Sequence, residues 1–252
     1  MFKTDVAAIF LVLFSPTILR NESITQNYWV VWNVGQGSWS TFVTESYCRH
    51  FDMGGEKNPL RRVARLCRGK NQRITLSHWD WDHVGFTLKA AQTLSQACLE
   101  IAPWGKGSAF KMKILSLFPP CHADARLVPS LRRLTRFSSS DFKLKSNDLS
   151  HVVIAADKIL LPGDSSLRQE KIWSQNAFLK KVNFLLLGHH GSRTSTSEDL
   201  LRRLPELKTA VASARGARYG HPHHETIERL KKYHIPILKT EDWGNLWFEI
   251  RQ

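Results

Sequence analysis

The stretch Leu76-Ser77-His78-Trp79-Asp80-Trp81-Asp82-His83-Val84-Gly85 decides how the rest of this chain is read. Four side chains able to hold a cation, His78, Asp80, Asp82 and His83, fall within a single short window. They follow a β-type run, Arg73-Ile74-Thr75-Leu76, and precede a pattern over residues 86–99 that reads as a helix. Two carboxylates and two imidazoles this close would repel one another if buried without a counter-charge, so a bound cation is the natural resolution. A solvated acidic, histidine-containing loop is the alternative, and the flanking sequence chooses between them.

Upstream, residues 28–33 are aromatic and β-branched and read as a strand ending at the turn Gly35-Gln36-Gly37-Ser38. Residues 40–45 supply a second strand, and Asp52-Met53-Gly54-Gly55 closes the unit. Asp52 either holds that turn by a local hydrogen bond or faces the site as a supporting carboxylate. Downstream, residues 151–156 and 158–162 form a hairpin that feeds into Gly163-Asp164. Residues 183–188 repeat the arrangement before His189-His190-Gly191-Ser192, and residues 210–214 do so before Arg218-Tyr219-Gly220-His221-Pro222-His223-His224. A helix over residues 225–233 and strands over 235–238 and 246–250 complete the chain. Four clusters of ligand-type residues, each just beyond a strand, point to one shared metal site.

The chain has 252 residues, enough for one large core, and an excess of 14 basic over acidic side chains. Such an excess suits a polyanionic partner, either nucleic acid or an anionic membrane surface, or else a generally basic soluble protein. Residues 58–67 are helical in pattern, with Arg61, Arg62, Arg65 and Arg68 away from the apolar side; that face is either simply solvated or follows a phosphate backbone. The least regular segment, 103–146, is also strongly basic and includes Lys106, Lys111 and Arg126. Cys48, Cys67, Cys98 and Cys121 show no CxxC spacing, so they do not read as a zinc knuckle; their even number permits disulfides and leaves the compartment open. The apolar run 6–14 is too short to span a bilayer but suits a secretory signal or anchor. The expected division is a leader over 1–26 and one domain over 27–252, exported or membrane-associated in preference to cytoplasmic.

The order Asn33-Val34-Gly35-Gln36-Gly37, Asp52-Met53-Gly54-Gly55, Ser77-His78 through Gly85, Gly163-Asp164, His189-His190-Gly191-Ser192 and Arg218 through His223 resembles the metallo-β-lactamase superfamily. More closely, it is similar to the domain at the carboxyl end of the DNA-uptake protein ComEC and its free-standing relatives. The resemblance runs from about residue 28 to residue 250 and includes none of the membrane-spanning competence segment.

That resemblance implies an α/β fold, a four-layer αββα sandwich, with the site along one edge of the two sheets. It implies two divalent metal ions, Zn²⁺ or Mn²⁺. His78 and Asp80 would bind the first, with Asn147 where the ComEC-like branch carries an Asn and His151 a less favoured substitute. Asp82 and His83 would bind the second, with Asp164 bridging and His189, preferred over His190, completing it. Asp80 and Asn147 make the first site oxygen-rich, which favours Mn²⁺. Asp82, Asp164 and His221 would be catalytic, and Ser192, Arg193, Ser195, Arg218, Tyr219 and His223 would contact substrate. The implied activity is metal-dependent hydrolysis of nucleic acid, foremost single-stranded DNA. A hydrolase of small esters, lactams or phosphodiesters, or a non-catalytic nucleic-acid-binding module, are the alternatives. The oligomeric state is not legible.

Overall fold

The computed structural model describes residues 26–94, 96–122 and 130–251. The expected leader up to residue 25 and Arg126 of the basic segment lie outside the described residues. Twelve strands alternate with helices among those described: β1 Asn27–Val31, β2 Ser40–Val43, β3 Tyr47–Phe51, β4 Asn71–Thr75, β5 Ala97–Ile101, β6 Leu131–Arg133, β7 Val153–Ala155, β8 Ile159–Leu161, β9 Phe184–Leu186, β10 Thr209–Ala212, β11 Ile237–Lys239 and β12 Leu246–Ile250. They form two six-stranded mixed sheets, in the orders β12-β1-β2-β3-β4-β5 and β11-β10-β9-β8-β7-β6. The last strand returns to pair antiparallel with the first, Trp29 opposite Phe248, and so closes the first sheet with the end of the chain.

The alternation of side chains along the strands creates the layers. Trp29, Val31, Phe42 and Phe51 of the first sheet meet Val153, Ala155, Ile159, Leu161, Leu186 and Val211 of the second in one buried cluster. The intervening residues point outward. Val30 packs toward Leu60, Val63, Ala90 and Leu94 of the helices Leu60–Leu66 and Thr87–Thr93. On the other side Ile154, Leu160, Leu185 and Ala210 pack toward Trp173, Leu200 and Leu230 of the helices Leu167–Trp173, Glu198–Arg202 and His224–Lys232. Strands apolar on both faces require cover on both faces, and the result is the αββα sandwich expected above.

Two details depart from the sequence reading. The helix expected over 86–99 ends at Thr93; Gln96 takes a positive φ of 66° and Ala97–Ile101 becomes β5, parallel to β4. Pairing with a central strand outweighs the helical spacing of Ala97 and Leu99. The segment 103–146 also contains a helix, Ala109–Leu115, whose Ser108 N-cap accepts from the Lys111 backbone N–H, and the edge strand β6. All four cysteines are paired, as Cys48–Cys67 and Cys98–Cys121. No described helix is long and apolar enough to cross a membrane.

Candidate metal centre

The ligand-type clusters meet where β4 and β8 end. After β4 the chain passes Leu76-Ser77 into His78, Asp80 and the short helix Trp81–Val84, which carries Asp82 and His83. After β8 it turns at Gly163, φ +56°, into Asp164. A Cβ on Gly163 would stand 2.7 Å from that of Ser77, so the two sheet ends approach as closely as they do only because this residue is glycine. Gly54 plays the same part for the Asp52 turn. Its Cβ would lie 2.2 Å from the Asp82 carbonyl carbon, while Met53 N–H donates to the His83 carbonyl at 2.6 Å and Ser38 N–H to that of Asp82 at 2.8 Å.

Backbone and side-chain acceptors fix which nitrogen of each imidazole faces the centre. Asp52 Oδ2 lies 2.7 Å from His83 Nδ1, and the Ser213 carbonyl lies 3.1 Å from His190 Nδ1. A carboxylate and a carbonyl only accept, so both Nδ1 atoms carry the proton and both Nε2 atoms turn inward. There His83 Nε2 stands 3.0 Å from Asp164 Oδ1, and His190 Nε2 stands 3.1 Å from Asp82 Oδ2 and 3.8 Å from Asp164 Oδ1. Asp82, His83, Asp164 and His190 present one ligand atom each, all within 4.8 Å of one another.

The other oxygen of Asp164 faces a second group. Its Oδ2 is 3.9 Å from His78 Nε2 and 3.6 Å from His189 Nε2. His78 Nε2 is 3.5 Å from Asp80 Oδ2, and Asn147 Nδ2 is 3.4 Å from His189 Nε2. Asp164 thus divides four imidazoles between its two oxygens, His83 and His190 on one side and His78 and His189 on the other. The divergence of the neighbouring pair comes from the backbone: His189 and His190 both sit in left-handed conformation, with φ of 49° and 57°. Such φ values cost non-glycine residues on the order of 1–3 kcal/mol each and persist where the surroundings impose them.

Two atoms test whether a cation fits. His78 Nε2 and Asp164 Oδ1 are buried and lack a hydrogen-bond partner among the described residues. Unsatisfied buried acceptors are costly, and a divalent ion taking nitrogen and carboxylate oxygen would satisfy both. The acid–base character agrees. Burial works to raise the Asp164 carboxyl, but the imidazoles of His83 and His190 outweigh it and hold the group well below the usual range. For His83, burial works downward while the carboxylates of Asp164 and Asp52 raise the imidazole well above its ordinary value, so this negative surrounding draws a proton to the place a cation would take. The donor set fits a divalent cation, and these residues form a possible His/Asp metal-binding cluster.

The remaining predicted site residues divide. His221 lies at the rim, its ring 6.0 Å from that of His189, and its Nδ1 is 3.2 Å from Gln36 Nε2. Gln36 Oε1 accepts from the Arg215 backbone N–H at 3.1 Å, which leaves its amide NH₂ for His221. His221 Nδ1 is therefore an acceptor and the ring proton sits on Nε2. Burial, then the neighbouring His190 and His189, lower the His221 pKa, so the ring is neutral near pH 7. Arg193 is exposed, and its carbonyl accepts from Arg229 Nη2 at 3.0 Å.

Several of the residues expected to contact substrate make hydrogen bonds within the chain. Ser195 is fully buried and donates to the Ser165 carbonyl at 2.8 Å. Ser192 Oγ lies 3.0 Å from Thr194 Oγ1, and His223 caps the helix His224–Lys232 through the Glu225 N–H. Arg218 and Tyr219 both turn to Glu56 Oε1, at 3.0 and 3.2 Å. His151, weighed as a ligand, donates from Nε2 to the Ala102 carbonyl at 3.0 Å and stands outside the four-residue cluster. His190, not the preferred His189, joins that cluster, because its Nδ1 is claimed by Ser213 and its Nε2 points inward. Gln36 and Glu56 were missed as organising residues; only the Gly35-Gln36-Gly37 turn hinted at the first.

No family model matches the chain. Recombination protein 2 of Haemophilus influenzae is 35% identical over 252 residues, covering 94% of this chain and 31% of that protein. ComE operon protein 3 of Bacillus subtilis is 36% identical over 72 residues, covering 28% of this chain and 9% of that protein. The chain thus spans about a third of the length of the first relative and less of the second. Among solved structures, the metallo-β-lactamase fold protein YhfI from Bacillus subtilis superposes with a TM-score of 0.55 at 12% identity, over 89% of this chain and all of that one. The chain therefore has the metallo-β-lactamase fold and is related in sequence to a segment of these two proteins, the ComEC-type relationship that its motif order implied.

Proposed function

We propose that this chain is a divalent-metal-dependent phosphodiester hydrolase acting on DNA, foremost single-stranded DNA. The observation that carries the reading is the division of four imidazoles between the two oxygens of Asp164. One buried carboxylate shared between two nitrogen-rich groups suits a pair of cations rather than one. Asp82, His83, Asp164 and His190 would hold one ion; His78, Asp80 and Asp164, with Asn147 and His189 adjacent, would hold the other. Bound divalent ions supply Lewis acidity toward a phosphoryl oxygen and lower the pKa of water.

The chain's own residues supply the rest. Asp82 and Asp164 carry negative charge at neutral pH and accept hydrogen bonds from an attacking water, which orients it. His221, neutral with its proton on Nε2, donates to a substrate oxygen or to the departing one. Lys111 lies over the Trp81 ring, 4.5 Å from its centroid, on the side of Asp80 and Asp82. The net charge of +14 and the names of the two relatives, recombination and ComE proteins, support a polyanionic substrate of the DNA class. Two disulfides suit an oxidising compartment, which supports export.

Purified protein incubated with Mn²⁺ or Zn²⁺ and end-labelled single-stranded DNA should cleave it, and Asp164→Ala should lower the rate by at least 10³-fold. Absence of cleavage with either metal, or cleavage equal in wild type and Asp164→Ala, would overturn the reading. Salt-insensitive hydrolysis confined to a small chromogenic ester would replace it with the small-substrate alternative.

A further inference from the structure

Beside the centre lies a cavity of about 490 Å³, walled by the indoles of Trp79 and Trp104 and by Leu144 and Leu149, with Lys106 and Ser146 completing it. Trp79 stands between His78 and Asp80 in the chain, and Ser146 directly precedes Asn147. The cavity therefore adjoins the half of the centre formed by those residues. We propose that it seats one unpaired nucleobase of the substrate strand, an assignment that rests on the nucleic-acid reading above and gives it a source of single-strand selectivity.

The walls are held in advance of any ligand. Trp79 Nε1 donates to the Gly105 carbonyl at 3.2 Å, and the ring covers Gly107 so closely that a Cβ there would come within 2.6 Å of it. The Trp104 ring lies 6.2 Å from that of Phe137, with 30° between their planes. Two indoles fixed by their neighbours lose little freedom when a ligand arrives. The chemistry of the lining is specific in kind: two indoles and two leucines for an apolar, planar group, with one exposed residue, Lys106, whose ammonium suits an anion attached to it. A nucleotide combines those two features. Every base has a π face, so stacking of this sort is sequence-tolerant. The volume lies within the ~300–1,000 Å³ usual for small-molecule sites. Bases stacked inside a duplex cannot enter such a cavity, whereas those of a single strand can.

The outer rim continues the pattern. Trp81 and Phe110 are 53% and 57% exposed, with ring centroids 6.4 Å apart. They offer surface to neighbouring nucleotides but enclose none, which distinguishes them from the walled cavity.

The test compares hexathymidylate with an abasic hexamer of equal charge, titrated into the full chain with divalent metal chelated. Wild type should bind the base-bearing strand at least ten-fold more tightly. Trp104→Ala should reduce that preference to about two-fold or less, and Trp104→Phe, which keeps an aromatic face, should keep most of it. Equal affinity of wild type for the two strands overturns the proposal without recourse to any variant. So does a preference retained in Trp104→Ala, because the base then stacks elsewhere. If the preference is present yet neither Mn²⁺ nor Zn²⁺ supports cleavage, the cavity keeps its assignment and the hydrolase reading alone falls.

Discussion

Asp52 Oδ2 lies 2.7 Å from His83 Nδ1, and this contact decides which nitrogen of His83 faces Asp164. The same carboxylate accepts from Ser77, at 2.7 Å from the backbone N–H and 3.0 Å from the hydroxyl, so it joins the end of β4 to the helix that carries Asp82 and His83. A carboxylate that orients a ligating imidazole commonly adds ten- to a hundred-fold to metal affinity. Asp52→Asn should weaken metal affinity by roughly that factor, measured by competition with a chromophoric chelator. An unchanged affinity would show that Asp52 serves the turn alone.

His189 and His190 should prove unequal. His190→Ala removes a member of the four-residue cluster and should cost one ion's worth of bound metal. His189→Ala removes a neighbour of Asn147 and Asp164 Oδ2 and should weaken the other ion instead. Metal analysis after dialysis at graded free-metal concentrations separates the two. Identical profiles for both variants would contradict the division of ligands between the oxygens of Asp164.

Acid sensitivity should come from histidines away from the centre as well. Burial pushes His50 and His151 down to about 4, so the folded state holds both neutral. Their unfolded pKa is about 6.5, so the unfolded chain binds more protons across the interval between the two values and stability falls as pH drops from about 6.5 to 4. Each group contributes up to about 3 kcal/mol of that loss. Urea unfolding of the metal-free protein at pH 7, 5.5 and 4.5 should show the decline, and His50→Gln should flatten it. A pH-independent midpoint would count against the neutral, buried state of these rings.

Arg61, Arg65 and Arg68 line one cleft of about 870 Å³ along the outer helix, with Lys70 at its end. Exchanging the three arginines for glutamine should reduce the slope of log affinity against log salt by roughly 2 for single-stranded DNA, at about 0.7 per phosphate contact. The slope would stay constant if this face were merely solvated, the alternative open in the sequence.

Much of the centre was legible because each ligand cluster follows a run of apolar residues that could only be a buried strand. That pattern was enough to bring His78, Asp80, Asp82, His83 and Asp164 to one place. The choice between His189 and His190 was hidden, since it depends on two consecutive left-handed residues and on a carbonyl at Ser213. The internal partners of the motif serines and arginines were hidden for a similar reason: Ser165 and Glu56, which Ser195 and Arg218 meet, are remote in sequence. The start of β5 was hidden by residues whose spacing suits a helix as well as a strand, and the pairing with β4 resolved it.

Both disulfides lie in the first half of the chain, Cys48–Cys67 tying β3 to the helix Leu60–Leu66 and Cys98–Cys121 tying β5 to the segment beyond Pro120. The second half, which contributes Asp164, His189 and His190, contains no cysteine. Loops of this length stabilise by about 3 kcal/mol each when closed, and that support reaches only the strands leading to His78 and its neighbours. A thiol reductant should consequently behave as a slow chelator. It touches none of the ligands, yet by loosening the half that carries His78, Asp80, Asp82 and His83 it should release metal.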